Sequence, residues 1–337
     1  MASRTKKRAN LRDVAQKADV SVATVSRVLN SPQTVSKYTR KRVEDAIELL
    51  NFVPNAAARA INSGRTRIVG ALVPTLDHSI FSRFLDALEE ELQRYSLSLV
   101  VATTGGDPDI EAQQAEKLLN IGVEGLFVSG VTHSAKFEAL ANRRDLPVVA
   151  TSYYDPDYHL PTVGYDNAQL TTMLLQHLIG LGHQSIGVLH GPPQSNDRTA
   201  ARLSPLKNQH GVEVRSFETT FDLQSAGDAV EKVLRSPRPP TAFLCISDVL
   251  AHGALFRCQR LGISVPQEVA IAGIDDHPIS QSTTPGITSV RTPVRLMGTR
   301  AAEVLATWVE KGERATDQLL ESRLIIRGST LWTDPQT

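Results

Sequence analysis

The chain has 337 residues, and 36 lysines and arginines balance 36 aspartates and glutamates, so its formal net charge is zero. This length predicts two or three domains. The apolar fraction of 41% excludes a wholly disordered chain, and the lack of a long unbroken apolar run argues against a membrane helix. The charge is unevenly divided, because residues 1–67 hold 14 basic and 5 acidic residues whereas residues 68–337 hold 22 and 31. A basic N-terminal segment followed by an acidic remainder predicts a polyanionic partner for the N-terminal segment alone.

The N-terminus and the cysteines predict the compartment. Basic residues near the start are not followed by an apolar segment, so we expect no secretory signal peptide. Cys245 and Cys258 lie in apolar segments without a pairing pattern, which is typical of reduced thiols. Both features predict a cytoplasmic protein.

Residues 10–30 predict two short helices joined by a tight turn. Asn10 can cap the first helix, and Asp19 stands where the turn requires a left-handed backbone. Ser21 can cap the second helix and Ser36 a third, whose outer face is expected to carry Lys37, Arg40, Lys41 and Arg42. The residues expected to face inward recur at helical spacing: Leu11, Val14, Ala15, Ala18, Val25, Val28, Leu29, Val43, Ala46, Ile47 and Leu50. This arrangement predicts a helix-turn-helix, with ordinary helical packing as the alternative interpretation.

The second helix of a helix-turn-helix lies in the DNA major groove, with its first residues at the base edges. Val22 and Ala23 lead this helix and can contact only thymine methyl groups, whereas Arg27 can reach a guanine or a phosphate. Polar side chains position such a helix by contacting phosphates, without reading the sequence. They complete the predicted DNA-contacting residues of this segment: Asn10, Ser21, Thr24, Ser26 and Asn30.

Two motifs resemble those of a known family. The run D-V-A-x-x-A-x-V-S-x-x-T-V-S-R-V-L-N at residues 13–30 resembles the headpiece of the Lac repressor (LacI/GalR) family of transcriptional regulators. The run F-V-P-N-A-A-A-R-A-I at residues 52–61 is similar to the hinge of that family, Y-x-P-N-x-x-A-x-x-L. The resemblance extends to about residue 330 and implies a DNA-binding regulator controlled by a small-molecule effector.

The hinge at residues 55–62 is too short to form a stable helix alone, but it could fold when two copies pack together in a DNA minor groove. The resemblance implies DNA contacts for Asn55, Ala58 and Ile61. A leucine of the family wedges into the central base step, and the matching Ile61 has a similar volume but a β-branched shape. The alternative is that Ile61 is an apolar linker residue.

From residue 67 onwards, apolar strands alternate with amphipathic helices, which predicts doubly wound parallel sheets. The predicted strands are 68–73, 97–102, 124–129, 147–150, 185–190, 213–218, 241–246, 268–274 and 319–326. The predicted helices are 81–95, 109–121, 134–143, 167–181, 198–210, 225–235, 249–261 and 295–311. So many strands favour two similar subdomains, with a chain that passes between them more than once.

We therefore predict an all-α helix-turn-helix headpiece and an α/β body of two doubly wound subdomains that resembles periplasmic binding proteins. The predicted boundaries are 1–54 for the headpiece, 55–66 for the hinge helix and linker, 67–337 for the body, 67–165 with 292–325 for the first subdomain, and 166–291 with 326–333 for the second.

Ligands of such sheets bind beyond the carboxyl ends of the strands. Those ends are rich in hydroxyl, aspartate, histidine and aromatic side chains, which suits a polyhydroxylated ligand, although loops are often polar for other reasons. Arg202 matches the arginine of the family's effector cleft, and Ser247 replaces an asparagine. The candidate effector-binding residues are Phe81, Arg83, His133, Tyr153, Arg198, Arg202, Phe221, Ser247, Asp248, Asp275 and His277.

A finer resemblance concerns the class of ligand. Short runs at 132–133, 258–262, 292–293 and 297–298 are similar to the gluconate-type repressors of the family. The candidate residues also include five cationic or titratable bases: Arg83, His133, Arg198, Arg202 and His277. Such a group favours an anionic effector such as gluconate or another sugar acid, with a neutral sugar as the alternative.

Two other classes of protein are weighed against this prediction. A periplasmic sugar-binding protein without DNA function would have a signal peptide and no helix-turn-helix. An enzyme would need a catalytic motif, and the glycines at 180–185 end a helix before a strand, the reverse of a dinucleotide loop. We therefore expect no enzymatic activity, metal or cofactor. The expected protein is a homodimeric regulator, most simply a repressor, on a pseudo-palindromic operator, and the sequence is compatible with both induction and co-repression.

Overall fold

The computed structural model describes residues 9–30, 32–53, 64–143, 146–207, 211–314 and 316–331. The chain divides into two compact units, Met1–Thr66 and Arg67–Thr337, which we call the head and the body. None of the described helices combines the length and apolar character needed to cross a bilayer. The described histidine, cysteine, aspartate and glutamate side chains form no group of three or more that could hold a metal ion.

The described residues of the head form three helices, α1 (Leu11–Lys17), α2 (Val22–Asn30) and α3 (Lys37–Leu49), and a short 3₁₀ turn at Pro32–Thr34. Asp19, between α1 and α2, has the left-handed backbone that the sequence predicts, with φ +50°. The three helices enclose a small apolar core formed by Val14, Ala15, Ala18, Val25, Val28, Val43, Ala46 and Phe52. This is the predicted helix-turn-helix followed by a third helix.

The predicted helix caps of the head are confirmed. Asn10 Oδ1 accepts hydrogen bonds from the backbone N of Arg12 at 2.8 Å and of Asp13 at 3.2 Å, and the Asp13 carboxylate accepts one from Asn10 N at 2.8 Å. Ser21 and Ser36 each accept a hydrogen bond from the backbone amide three residues later, at 3.1 and 3.2 Å. These bonds satisfy amides that would have no partner within their helices.

Arg42 does not lie on the outer face of α3, where the sequence analysis placed it. Its Nη2 atom donates to the carbonyl oxygen of Ala18 at 2.6 Å and contacts the carbonyl and carboxylate oxygens of Asp19, each at 3.2 Å. The last carbonyl groups of a short helix need donors, and a guanidinium supplies several. Arg42 therefore joins α3 to the turn between α1 and α2.

The part of the body that the structure describes contains two six-stranded sheets. The first has the strand order β11-β5-β4-β3-β1-β2 and the second β12-β10-β9-β8-β6-β7. The strands of the first sheet are β1 (Ile68–Val73), β2 (Ser98–Thr103), β3 (Leu126–Ser129), β4 (Val148–Thr151), β5 (Thr162–Gly164) and β11 (Gln318–Leu319). Those of the second are β6 (Ser185–His190), β7 (Glu213–Glu218), β8 (Ala242–Cys245), β9 (Ala270–Ile274), β10 (Thr288–Arg291) and β12 (Arg323–Ile325). All pairs are parallel except β10 with β12, so each sheet forms the core of one doubly wound subdomain.

Helices cover the faces of both sheets. They are α4 (Ser79–Arg94), α5 (Pro108–Asn120), α6 (Ala135–Arg143), α7 (Asn167–Gly180), α8 (Asp197–Leu203), α9 (Leu223–Leu234), α10 (Asp248–Leu261) and α11 (Val294–Lys311). The predicted helix 198–210 ends early, at Leu203, and a 3₁₀ turn at Ser204–Leu206 follows. Pro205 explains the change, because a proline has no amide hydrogen to continue an α-helix.

The chain passes between the subdomains three times. It passes between β5 and α7, which packs on the second sheet, and again between β10 and α11, which packs on the first. The third passage lies between β11 and β12. The single strand predicted at 319–326 is therefore wrong, because β11 and β12 belong to different sheets. The second sheet also begins before the predicted boundary at residue 325, since Arg323 pairs with Arg291. Strands β5 and β10 were not predicted, because they are too short to show a periodic pattern.

The carboxyl ends of the parallel strands from both sheets meet at a cleft. Pro74 follows β1 and Ser129 ends β3 in the first subdomain, while Ser247 follows β8 and Asp275 follows β9 in the second. All four residues line one cavity. The fold thus places polar loop residues of two subdomains around a common space, as expected for doubly wound sheets.

Candidate functional site

The exposed surface of α2 carries the residues predicted to read DNA bases. Val22, Ala23 and Arg27 are exposed, whereas Val25 and Val28 are buried in the core of the head. Ser21 and Thr24 lie within 2.9 Å of each other through their hydroxyl oxygens, so both take part in capping α2. The helix therefore presents an apolar first turn followed by one arginine.

The cations of the head differ in how they are paired. On α3, Arg40 contacts Glu44 at 2.6 Å and Lys41 contacts Asp45 at 3.8 Å, so these two cations are paired with acids of the same helix. By contrast, Arg27 makes no ion pair with any residue that the structure describes. Arg12, Lys17 and Lys37 are likewise exposed and make no ion pair with a described residue, so the unpaired positive charge of the head is spread over all three helices.

The remaining predicted DNA-contacting residues lie in the head and the hinge. Asn10 caps α1, and Ser26 is half-buried on α2. Asn30 is the last residue of α2, and its side chain lies outside the described part of the chain. The hinge residues Asn55, Ala58 and Ile61 also lie outside the described residues, so their roles stay predictions.

The cavity at the carboxyl ends of the strands has a volume of about 380 Å³. Aromatic rings from both subdomains line it: the ring centroid of His78 lies 6.5 Å from that of Phe81 and 6.4 Å from that of Phe221. The polar side chains around it include Arg198, Arg202, Ser247 and Asp275. Six of the predicted effector residues are thus brought together. An aromatic wall opposite polar groups is suited to a ligand that has an apolar face and hydroxyl groups.

Arg202 and Asp275 form a buried pair in this cavity. Arg202 Nε donates to Asn167 Oδ1 at 3.0 Å, and its Nη1 donates to the carbonyl oxygen of Ile246 at 2.6 Å. Its Nη2 lies 3.6 Å from Asp275 Oδ1, and the two residues are only 8% and 4% exposed. Arg202 is therefore fixed by the protein before any ligand binds.

The Asp275 carboxylate retains hydrogen-bonding capacity for a ligand. Its Oδ1 atom accepts no hydrogen bond from a described residue. Burial raises the pKa of Asp275 to about 6, although the neighbouring charge of Arg202 lowers it. The backbone of Asp275 has φ +106°, which is rare for a residue with a side chain. A buried acceptor in a strained position is an expected partner for a ligand hydroxyl.

A second, larger cavity of about 730 Å³ adjoins the first. The two cavities share six lining residues: Pro74, Gly106, Ser129, Ser195, Asn196 and Arg198. The predicted residue Tyr153 lines the larger cavity, where burial and the charge of Asp197 raise the pKa of its phenol. Arg198 faces both cavities, and its Nη1 donates to Asp197 Oδ1 at 2.9 Å.

Four predicted effector residues line neither cavity, and their effector roles stay predictions. The His133 side chain is completely buried, with Nδ1 2.6 Å from Glu111 Oε1 and the ring 4.7 Å from that of Phe137. It follows β3 but turns into the core of the first subdomain. Arg83, on α4, is half-buried outside the lining of both cavities.

Asp248 and His277 are the other two residues outside the lining of both cavities. Asp248 is fully buried: Oδ1 accepts a hydrogen bond from Ser289 Oγ at 2.6 Å, and Oδ2 accepts bonds from His277 N at 2.8 Å and from the Ser280 hydroxyl. Burial raises the pKa of Asp248 to about 6. Asp248 therefore holds the loop that follows β9 and with it Asp275, two residues before His277.

Sequence reasoning missed three residues of the cleft. His78 lies in a strand end whose composition was noted, but no pattern distinguished it from its neighbours. Asn167 holds the guanidinium of Arg202 from 35 positions away, and Asp197 contacts the loop after β3 from 65 and 66 positions away. Contacts at such separations depend on the tertiary fold and leave no local signal.

Comparisons with known proteins place both units among regulators. Residues 10–55 match the family described as "Bacterial regulatory proteins, lacI family", and residues 175–330 match the "Periplasmic binding protein-like domain". The chain is 29% identical over 321 residues to the HTH-type transcriptional regulator GntR of Escherichia coli (strain K12), covering 94% of this chain and 96% of that protein. It is 30% identical over 323 residues to catabolite control protein A of Staphylococcus epidermidis, covering 94% and 98%.

A solved structure is similar along the same length. The crystal structure of the lac repressor dimer bound to operator and the anti-inducer ONPF has a TM-score of 0.85 and 26% identity to this chain. It covers 97% of this chain and 100% of that one. The similarity therefore includes the helix-turn-helix and the two-subdomain body together.

Proposed function

We propose an operator-binding function controlled from the cleft for this chain, which belongs to the lacI family of bacterial regulatory proteins. It is a DNA-binding transcriptional regulator with an effector-binding body. It acts as a homodimer on a pseudo-palindromic operator in the cytoplasm, where that DNA lies, and a repressor is the simplest form of this role. The match of residues 10–55 to DNA-binding proteins removes the support for a binding protein without DNA function.

On the DNA, α2 is proposed to enter the major groove. Val22 and Ala23 would contact thymine methyl groups, and Arg27 would contact a guanine or a phosphate. Their exposure beside a buried inner face supports this orientation. At the hinge, Ile61 is proposed to wedge into the central minor-groove step. Ile61→Ala should then reduce operator bending in a gel-mobility bend assay, and unchanged bending would count against the wedge.

One observation carries the effector part of the proposal: residues of both subdomains line a single cavity. His78 and Phe81 belong to the first subdomain, and Phe221, Arg202 and Asp275 to the second. A ligand in this cavity would contact both subdomains and would stabilise the arrangement in which they approach each other. Such closure is proposed to change the spacing of the paired hinges and with it the operator affinity.

The effector is proposed to be a sugar acid such as gluconate. Only two of the five bases expected to surround the ligand, Arg198 and Arg202, line the cavity, and Arg202 is already committed to three partners. Arg198 Nε and Nη2 make no hydrogen bond to a described residue, so Arg198 can bind a carboxylate. Asp275 and Ser247 would then bind hydroxyl groups.

Isothermal calorimetry with gluconate and glucose tests the ligand class. We expect the wild-type protein to bind gluconate more tightly than glucose. Arg198→Gln should remove this preference by weakening gluconate binding about tenfold or more, because it deletes the charge but keeps most of the side chain. Asp275→Asn is the matched control at the hydroxyl end and should weaken both ligands. Tighter binding of a neutral sugar than of every sugar acid tested would contradict the sugar-acid proposal and leave the regulator assignment intact.

A further inference from the structure

The carboxylate of Asp197 joins the two subdomains at the mouth of the cleft. Asp197 belongs to the second subdomain, and its Oδ2 atom accepts hydrogen bonds from the backbone N of Val131 at 2.5 Å and of Thr132 at 3.0 Å, both in the first. Its Oδ1 atom accepts bonds from Arg198 N at 2.7 Å and Arg198 Nη1 at 2.9 Å. The side chain is 11% exposed. One carboxylate oxygen therefore binds the first subdomain and the other binds Arg198 of the second. We call this contact of Asp197 with Val131 and Thr132 the seam between the subdomains.

The backbone of the first subdomain is fitted closely to this pair. Gly130 precedes the two amides and has φ +89°. A Cβ atom at Gly130 would collide with Arg198 Nη1 and with both carboxylate oxygens of Asp197. Glycine is thus required for its backbone angle and for the space that Asp197 and Arg198 occupy.

Arg198 connects this seam to the ligand space. Its side chain is 15% exposed and lines both cavities, while its Nη1 atom is held by Asp197. The direction of the guanidinium therefore depends on Asp197, and the position of Asp197 depends on the amides of Val131 and Thr132. If the subdomains separated, Asp197 would lose two of its four hydrogen bonds and Arg198 would lose its fixed orientation.

We propose that Asp197 is a positioning residue that couples occupancy of the cleft to the spacing of the two subdomains. The inference rests on the proposed effector function, because Arg198 is the proposed contact for the ligand's carboxylate. A ligand that binds Arg198 in the orientation set by Asp197 binds the apposed subdomains better than the separated ones. This difference in affinity between two states is what shifts the equilibrium towards closure.

Hydrogen–deuterium exchange in the full-length protein tests the seam without any ligand. Asp197→Asn keeps the shape of the side chain but places an amide group opposite the two backbone donors. The amides of Val131 and Thr132 should then exchange about tenfold faster or more, because local opening no longer breaks two charge-assisted hydrogen bonds. Thr132→Ala is the matched control, since it keeps the backbone amide and should leave its exchange unchanged. Wild-type exchange rates in Asp197→Asn would overturn the proposal.

Gluconate is the probe for the coupling. In the wild type, saturating gluconate should slow exchange at Val131 and Thr132 and reduce the radius of gyration measured by small-angle scattering. In Asp197→Asn, both responses should be lost and gluconate affinity should fall about tenfold, although Arg198 is intact. Full responses in this variant would overturn the coupling. Gly130→Ala disturbs the seam from the other subdomain and should give the same pattern, which guards against a folding defect in one variant. If the wild type binds no sugar acid, the ligand proposal fails, and the exchange comparison without ligand still decides the seam.

Discussion

Arg27 in the head and Arg202 in the body both lie at predicted binding sites, but their surroundings differ. Arg27 is exposed and makes no ion pair with a described residue, whereas Arg202 is 8% exposed and contacts Asn167, Ile246 and Asp275. An exposed arginine can exchange counterions for phosphates, which makes its contribution salt-dependent. A buried arginine is oriented in advance, and the fold depends on it. The head is thus built for an external partner, and the cleft for a ligand that completes an internal network.

Of the changes considered, deleting residues 1–62 should have the largest effect on operator binding. Operator binding should be abolished, because α2 is removed, while the body should remain folded with its own two cores. Fluorescence anisotropy with labelled operator and circular dichroism of the truncated protein measure the two properties. Operator binding by the truncated body would contradict the assignment of DNA recognition to the head.

Arg202→Ala should destabilise the ligand-free protein by about 3 kcal/mol, because it leaves the buried carboxylate of Asp275 without its ion pair and two acceptors without a donor. Gluconate affinity should fall by at least about 2 kcal/mol as well. Urea unfolding and calorimetry provide the two values. A variant that loses ligand affinity but keeps wild-type stability would show that Arg202 does not support the fold.

Arg27→Ala should give the opposite result. Its unfolding free energy should change by less than about 0.5 kcal/mol, since the side chain is exposed. Its specific operator affinity should fall by about 1–3 kcal/mol if Arg27 contacts a guanine. Arg40→Ala is the matched control and should have a smaller effect, because Glu44 already neutralises Arg40. An equal loss for Arg27→Ala on random DNA would identify a phosphate contact instead.

The smallest expected effect is the pH dependence of Asp275. Its pKa in the folded protein is raised to about 6 by burial, above the ordinary value of 3.8, so the folded state takes up a proton before the unfolded state does. Acidification from pH 7 to pH 5 should therefore stabilise the wild type relative to Asp275→Asn by about 1 kcal/mol. Urea midpoints at the two pH values measure the difference. A wild type that loses stability relative to the variant on acidification would show that the Asp275 pKa is not raised.

The sequence predicts the head well because its signals are local. Helix caps at Asn10, Ser21 and Ser36 act within three residues, and the left-handed turn at Asp19 depends on one residue. Arg42 is the exception, since its partners in the turn are 23 and 24 positions away. Helical periodicity places a cation on a face but does not reveal a carbonyl oxygen brought there by tertiary packing.

The cleft is predicted less completely for the same reason. Composition at strand ends identified the edge of the sheets, and family resemblance identified Arg202. Neither could show that the His133 ring turns inwards to Glu111, or that Asp248 is used to hold a loop. Side-chain direction after a strand is decided by packing with residues far away in sequence, as His133 and Asp248 show.

Reciprocal titration of the full-length protein tests effector control of operator binding most directly. Operator affinity is measured with and without saturating gluconate, and gluconate affinity with and without saturating operator. The account predicts that each ligand changes the affinity for the other by the same factor, and that this factor differs from one. Gluconate that occupies the cleft but leaves the operator affinity unchanged would contradict it.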